Sequence, residues 1–202
     1  MQSSAATRAP SKGERTRRRI LASAIEHFAA TGLDGGSVPE IARQAGLSHG
    51  AVYQHFGRKE ALFRAAVDAD LSAMLAEAHP ALDLPAPAPE DLVAAVGVLL
   101  AASRTHPLAR RVLANIDAEQ TEALRDLEAL TELEQRLVAA VARGQAAGTL
   151  RTDLDAAAIA AGVIGTALPL LVVGIRLDGV ADIPRSTDAV GFLVDVLRPP
   201  KS

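Results

Sequence analysis

Four positions, His49, Gly50, Tyr53 and Gln54, form the group with the clearest chemical capacity in this sequence. Because 49/53 and 50/54 are i, i+4 pairs, a helix would place all of them on one face. A glutamine amide can bond N6 and N7 of an adenine together, and His and Tyr carry donors and acceptors for base edges or phosphates. Gly50 has no side chain, which lets a helix N-terminus approach DNA closely. The group predicts reading of the DNA major groove rather than catalysis.

Two short helices around a tight turn, within residues 37–60, would position this face. Ser37 followed by Glu40 has the pattern of a capping box, which predicts that a helix begins there. Gly46 can adopt a positive φ and end that helix, and Ser48 can cap the next one. The apolar positions expected to face inward are Ile41, Ala42, Ala45, Val52 and Phe56. This arrangement is a helix-turn-helix, whose second helix enters the major groove.

Further polar residues around the motif are candidates for contacts to DNA. They are Ser37, Gln44, Ser48, His55 and Lys59 within the motif, and Arg17 and Arg18 on the preceding helix. Phosphate contacts position a protein on the duplex, and basic arms reach into the minor groove. A solvated helix face explains any one of these residues equally well. The prediction therefore depends on the reading face and the turn occurring together.

Charge is distributed unevenly along the chain. The net charge of −3 combines a basic part, residues 1–64 with 10 Lys and Arg against 5 Asp and Glu, with a remainder that holds 11 against 19. When a basic module is attached to an acidic body, only the module is attracted to phosphate. The asymmetry supports DNA binding by the N-terminal part.

Residues 15–64 resemble the TetR (tetracycline-repressor-like) family of transcriptional regulators. The resemblance is carried by Ile20, Ala24, Phe28, Gly32, Ile41, Ala42, Ala45, Gly46, Ser48, Gly50, Val52, Tyr53, His55, Phe56, Lys59, Glu60, Leu62 and Phe63. A fainter resemblance lies in residues 148–165, which look like the start of the family's dimerising helices. The resemblance implies a homodimeric regulator, most often a repressor, on a palindromic operator of double-stranded DNA.

The apolar periodicity predicts an all-α fold with about nine helices. We expect a disordered basic arm over 1–13, a helix-turn-helix DNA-binding domain over 14–60 and a helical ligand-binding and dimerisation domain over 61–202. The later helices are expected over 58–79, 90–105, 107–116, 117–147, 155–177 and 187–197, with Pro80 ending the first of them. On the 117–147 helix either Leu130 or Leu133 would face inward together with Leu137.

Residues 156–175 form an uncharged run that is long enough to span a bilayer. Nearly half of them are Ala or Gly and no aromatic belt flanks them, which argues against a membrane helix. Burial in a dimer interface explains the run as well, and the family resemblance favours it. We therefore expect a homodimer through 155–177 and 187–197, and no membrane span.

The resemblance also implies a small-molecule inducer bound among the middle helices. Phe192 is the only aromatic residue after Phe63, so a lipid-like or small aliphatic ligand suits the Ala, Leu and Val content better than a flat aromatic one. The polar candidates for ligand contact are Arg104, Arg111, Asn115 and Thr166.

Other function classes have little support in the sequence. The chain has no cysteine, and its five histidines are dispersed, so we expect no metal site and no cofactor. It contains no glycine-rich phosphate loop or catalytic constellation, and we expect no enzyme activity. The polar, basic stretch before Ile20 predicts no signal peptide and a cytoplasmic location. One alternative remains, a helical homodimeric scaffold that no longer reads DNA specifically.

Overall fold

The computed structural model describes residues 11–115, 127–177 and 184–199, and the side chains of all of these except 184–190. Over these ranges the chain forms ten α-helices and no strand, which confirms the predicted all-α fold. Two compact units are present, Met1–Val67 and Asp68–Ser202. The predicted helical residues 117–126 lie outside the described ranges.

The first unit contains α1 (Lys12–Thr31), α2 (Val38–Gln44), α3 (His49–Phe56) and the beginning of α4 (Lys59–Ala76). Ser11 and Glu14 form a capping box at the start of α1, in which each side chain accepts the other residue's backbone N–H. The predicted arm over 1–13 is therefore too long, because residues 12 and 13 are already helical; residues 1–10 lie outside the described ranges. The core of this unit is built on Ile20 and Phe28, both fully buried.

The loop between α1 and α2 is shaped by a close approach to Phe28. A Cβ built on Gly36 would lie 2.2 Å from Cε1 of Phe28, far closer than non-bonded carbon atoms approach each other. The Phe28 ring also meets Phe63 of α4 edge-to-face, with ring centroids 5.1 Å apart. Gly36 thus lets the backbone close over the aromatic core immediately before the helix-turn-helix.

The second unit contains the rest of α4 and six further helices. They are α5 (His79–Leu82), α6 (Pro89–Ala102), α7 (Pro107–Ala114), α8 (Glu128–Ala147), α9 (Ala156–Arg176) and α10 (Pro184–Leu197). Pro80 was expected to end a helix, but α4 ends at Ala76 and Pro80 lies in the first turn of α5. A proline fits there because the first turn needs no backbone donor. The additional short helix accounts for ten helices where about nine were expected.

Two aspartates of α4 cap the N-termini of two other helices. The Asp70 carboxylate accepts the backbone N–H groups of Leu108 and Ala109, in the first turn of α7, at 2.9 and 2.8 Å. It also contacts His106 Nδ1 at 3.0 Å. The Asp68 carboxylate accepts the N–H of Ala129, in the first turn of α8, at 3.1 Å. Neither α7 nor α8 has a side-chain cap from its own N-cap residue, so α4 satisfies donors that these helices leave unpaired.

Candidate nucleic-acid interface and ligand cavity

The start of α2 is held by Ser37, in a different way from the predicted capping box. The Ser37 hydroxyl accepts the N–H of Glu40 at 3.4 Å, as expected of an N-cap. The Ser37 N–H, however, donates to His27 Nε2 of α1 at 3.0 Å, and the Glu40 carboxylate bonds elsewhere. The box is therefore half formed, and a histidine from another helix takes the place of the expected carboxylate.

The turn between α2 and α3 is made as the sequence predicted. Gly46 has a φ of 64°, in the left-handed region that glycine tolerates. The Leu47 N–H returns to the carbonyl of Ala42 at 2.9 Å, and the Ser48 hydroxyl accepts the N–H of Ala51 at 3.2 Å. Arg19 of α1 also donates to the Ala45 carbonyl. These bonds fix the direction in which α3 leaves the turn.

The outward face of α3 carries the predicted reading group. His49, Gly50, Gln54 and His55 are exposed, and Tyr53 is 38% exposed, whereas Val52 on the opposite face is buried. The rings of His49 and Tyr53 meet edge-to-face, with centroids 4.8 Å apart. The face therefore presents an imidazole, a phenol and an amide around a glycine whose missing side chain leaves open space.

Basic side chains lie close to both ends of the motif. Arg17 of α1 has its Cζ 5.2 Å from the ring centroid of Phe56, so this half-buried ring is partly covered by a cation. Lys59 Nζ lies 3.4 Å from the carbonyl oxygen of Asp34, and Arg18 is exposed on α1. Arg17 and Lys59 thus contact an aromatic ring and a backbone carbonyl of the first unit. Neither forms an ion pair with a carboxylate of the described residues, so both keep their positive charge available.

Glu40, Arg43 and Gln44 form a network on the exposed side of α2. Arg43 donates to both Glu40 carboxylate oxygens, at 2.9 and 2.6 Å, and Gln44 Nε2 donates to Oε1 at 3.2 Å. These hydrogen bonds, those from Arg43 above all, lower the pKa of the Glu40 carboxyl to about 2. The pairing is present above the ordinary carboxyl pKa and is lost only as the pH falls through about 2. Gln44 is therefore tied to Glu40, and Arg43 is a basic residue that the sequence analysis missed.

Replacing Glu40 with Gln should strengthen binding to duplex DNA and steepen its salt dependence. The substitution removes a negative charge and the bidentate partner of Arg43, so the guanidinium becomes available to a phosphate. We expect the slope of log Kd against log salt to increase by about one. Fluorescence anisotropy across a salt series measures this slope. The control is Glu26→Gln, which removes the same charge from an exposed site on α1; equal slopes in the two variants would contradict the interpretation.

The second unit encloses a cavity of about 550 Å³. Among the residues that the structure describes, those that line the cavity belong mainly to α4–α9, and almost all of them are aliphatic. The main apolar residues are Leu71, Met74, Leu75, Leu82, Leu92, Leu99, Leu113, Leu130, Leu133, Leu137, Ile164, Leu168 and Leu171. The polar side chains among the described lining residues are Thr131 and Glu134 of α8. Both Leu130 and Leu133, which the sequence left as alternatives, contribute to this lining.

The four polar residues predicted to contact a ligand do not line this cavity. Arg104 and Arg111 are exposed, and Asn115 caps the end of α7 by donating to the carbonyl of Arg111 at 2.7 Å. Thr166 is exposed on α9 and donates to the Gly162 carbonyl at 2.8 Å. The prediction relied on polarity alone, whereas Arg104 and Asn115 lie just beyond the ends of α6 and α7. Arg111 of α7 and Thr166 of α9 are on helices, but neither is among the residues that line the cavity. The polar lining residues are instead Thr131 and Glu134.

The capped helices, the glycine turn and the exposed α3 face define a helix-turn-helix protein. Residues 20–66 match the family model described as "Bacterial regulatory proteins, tetR family". A segment of 54 residues is 43% identical to the HTH-type transcriptional regulator SrpR of Pseudomonas putida, and a segment of the same length is 41% identical to the HTH-type transcriptional regulator TtgW of the same species. Over residues 20–66 the chain is therefore similar to the TetR family of bacterial regulatory proteins.

The similarity in sequence is less extensive than the similarity in fold. Each matched segment covers 27% of this chain, and they cover 25% of SrpR and 40% of TtgW, so the sequence likeness is confined to part of each protein. The fold is shared more widely. FadR from Bacillus subtilis, solved in complex with stearoyl-CoA, matches with a TM-score of 0.68 at 20% identity over 90% of this chain and 99% of FadR.

Proposed function

We propose that the chain is a homodimeric, sequence-specific DNA-binding regulator of the cytoplasm, a repressor that a mainly aliphatic ligand releases from its operator. The observation that carries the proposal is the exposed face of His49, Gly50, Tyr53 and Gln54 on a helix that is capped and oriented by the preceding turn. In a dimer, two copies of α3 would enter successive major grooves about 34–36 Å apart, which requires a palindromic operator.

Exposed apolar surface on α9 and α10 supports the homodimer. Among the described residues, α9 is the one unbroken helix that is long and apolar enough to cross a membrane. Only 28% of its most apolar 18-residue stretch is buried within the chain. Val173 and Leu177 at its end, and Phe192 and Val196 on α10, are exposed. Surface of this kind is stable in water when another apolar surface covers it. A second copy of the chain would cover it through these two helices.

The cavity supports regulation by a ligand. Leu71, Met74 and Leu75 of its lining belong to α4, the helix that begins at Lys59 beside the reading motif. A ligand shifts a conformational equilibrium only if it prefers one of the states. A ligand that fills the aliphatic lining, and fits one position of α4 better than another, would therefore change the affinity of the dimer for DNA.

Gln54→Ala should relax the preference for one base pair in each half-site while retaining binding. The amide is the side chain on α3 suited to bidentate bonding with adenine, and its loss should remove roughly 1–3 kcal/mol of discrimination. Competition between the preferred duplex and a duplex altered at a single position measures this difference. Gln135→Ala, which removes an exposed amide from α8, should leave it unchanged. Uniform weakening across all positions would show that Gln54 contacts phosphate instead of a base.

A further inference from the structure

The described lining of this cavity carries a charge as well as an apolar surface. Among the described lining residues, Glu134 is the only ionisable group, and no Lys, Arg or His accompanies it. Thr131, one helical turn earlier on the same side of α8, adds a hydroxyl. Both residues are exposed, whereas the leucines and Met74 of the lining are mostly buried. The cavity is therefore apolar in its interior and acidic where solvent reaches it.

The Glu134 carboxylate is not neutralised by its described neighbours. It makes no hydrogen bond or ion pair within the part of the chain that the structure describes. The nearest cation along α8, Arg136, is engaged elsewhere: it donates to both carboxylate oxygens of Asp83, at 2.8 and 2.7 Å, and to Glu132 at 3.2 Å. Arg143, further along α8, donates to the backbone carbonyls of Leu82 and Leu84. The negative charge at the cavity is thus available to a ligand.

We propose that the cavity takes a cationic amphiphile, with a protonated amine or quaternary ammonium group beside Glu134 and an aliphatic chain among the leucines. This inference rests on the proposed role of the cavity as the ligand site, and it adds the sign of the ligand's charge. A cavity of about 550 Å³ lies within the range that small-molecule sites occupy. A carboxylate or phosphate head would be repelled by Glu134 and would find no cation among the described lining residues. Fatty acids and acyl thioesters of coenzyme A are therefore disfavoured.

Calorimetric titration of the full-length protein with three probes of equal chain length tests the inference. The probes are decyltrimethylammonium and decanoate, each below its micelle concentration, and decanol below its solubility limit, all at one ionic strength. We expect decyltrimethylammonium to bind about tenfold more tightly than decanoate, with decanol between them. Glu134→Gln should remove this order and leave the affinity for decanol unchanged. The substitution is at an exposed position and keeps the side-chain shape, so the fold should be preserved.

Glu132→Gln is the matched control, because Glu132 is two residues away on the same helix and already bonds Arg136. It should preserve the preference for the cation. Three results would each overturn the inference. The unaltered protein could bind decanoate as tightly as the cation or more tightly, it could bind none of the probes, or Glu134→Gln could keep the same order of affinities. The titrations contain no DNA, so their outcome is separate from that of the proposed function. If the cationic probe binds but the protein stays on its operator, only the proposed release from DNA by a ligand is contradicted.

Discussion

Gly50→Leu should reduce operator affinity more than tenfold while the protein remains as stable as before, or becomes more stable. A Cβ built on Gly50 meets no neighbouring atom of the described chain within 4 Å, so nothing in the fold requires glycine there. Glycine in a helix costs up to about 1 kcal/mol relative to a good helix former. If α3 enters the major groove by its N-terminal turn, a leucine at this position would hold the helix away from the bases.

The test for Gly50 combines an affinity with a stability. Anisotropy with a labelled operator gives Kd, for which tenfold corresponds to about 1.4 kcal/mol, and thermal unfolding gives the stability. Gly97→Leu is the matched control, because Gly97 of α6 also has open space around its Cβ and lies far along the chain from the motif. It should change stability in the same direction and leave Kd unaltered. Operator affinity in Gly50→Leu equal to that of the control would remove the α3 N-terminus from the interface.

Asp70→Ala should destabilise the second unit by roughly 3–5 kcal/mol. Asp70 is only 5% exposed, and its carboxylate accepts two backbone N–H groups of α7 and contacts His106. Alanine would leave these buried donors without an acceptor and open a small cavity between α4 and α7. The loss of stability is large because the unpaired N–H groups are buried and cannot form hydrogen bonds with water instead.

Urea unfolding followed by circular dichroism measures the loss. Asp68→Ala is the internal comparison, since Asp68 is half-buried and accepts one N–H, from Ala129. It should cost about 1 kcal/mol, the usual effect of losing a helix cap. Asp70→Asn keeps one acceptor oxygen and should fall between the two alanine variants. A smaller effect for Asp70→Ala than for Asp68→Ala would contradict the central capping role of Asp70.

The helix-turn-helix was predictable because the interactions that build it join residues close together in the sequence. Gly46 needs only its own φ to end α2, and Ser48 reaches a backbone N–H three residues away. The exposed face of α3 follows from helical spacing alone. Where the local prediction was incomplete, another helix supplied the partner: His27 of α1 replaced the expected Glu40 contact at Ser37.

The interior of the second unit was less predictable because its polar contacts link distant parts of the chain. Asp70 bonds residues 38 and 39 positions away, and Asp68 bonds one 61 positions away. No local pattern marks an acidic residue in mid-helix as a cap for another helix. Thr131 and Glu134 were not predicted to line the cavity. They do so because of the orientation of α8 about its own axis, which packing against other helices determines. Arg104 and Arg111, predicted from their charge, are exposed and do not line the cavity.

Selection of bound duplexes from a random library, using purified protein shown by sedimentation to be a dimer, tests DNA reading most directly. We predict an enriched palindrome with half-sites about 10–10.5 base pairs apart, centre to centre. Mass spectrometry of the same sample should first establish that no ligand has co-purified. If the folded, ligand-free dimer enriches no sequence, the chain is a helical scaffold and the proposed regulator is contradicted.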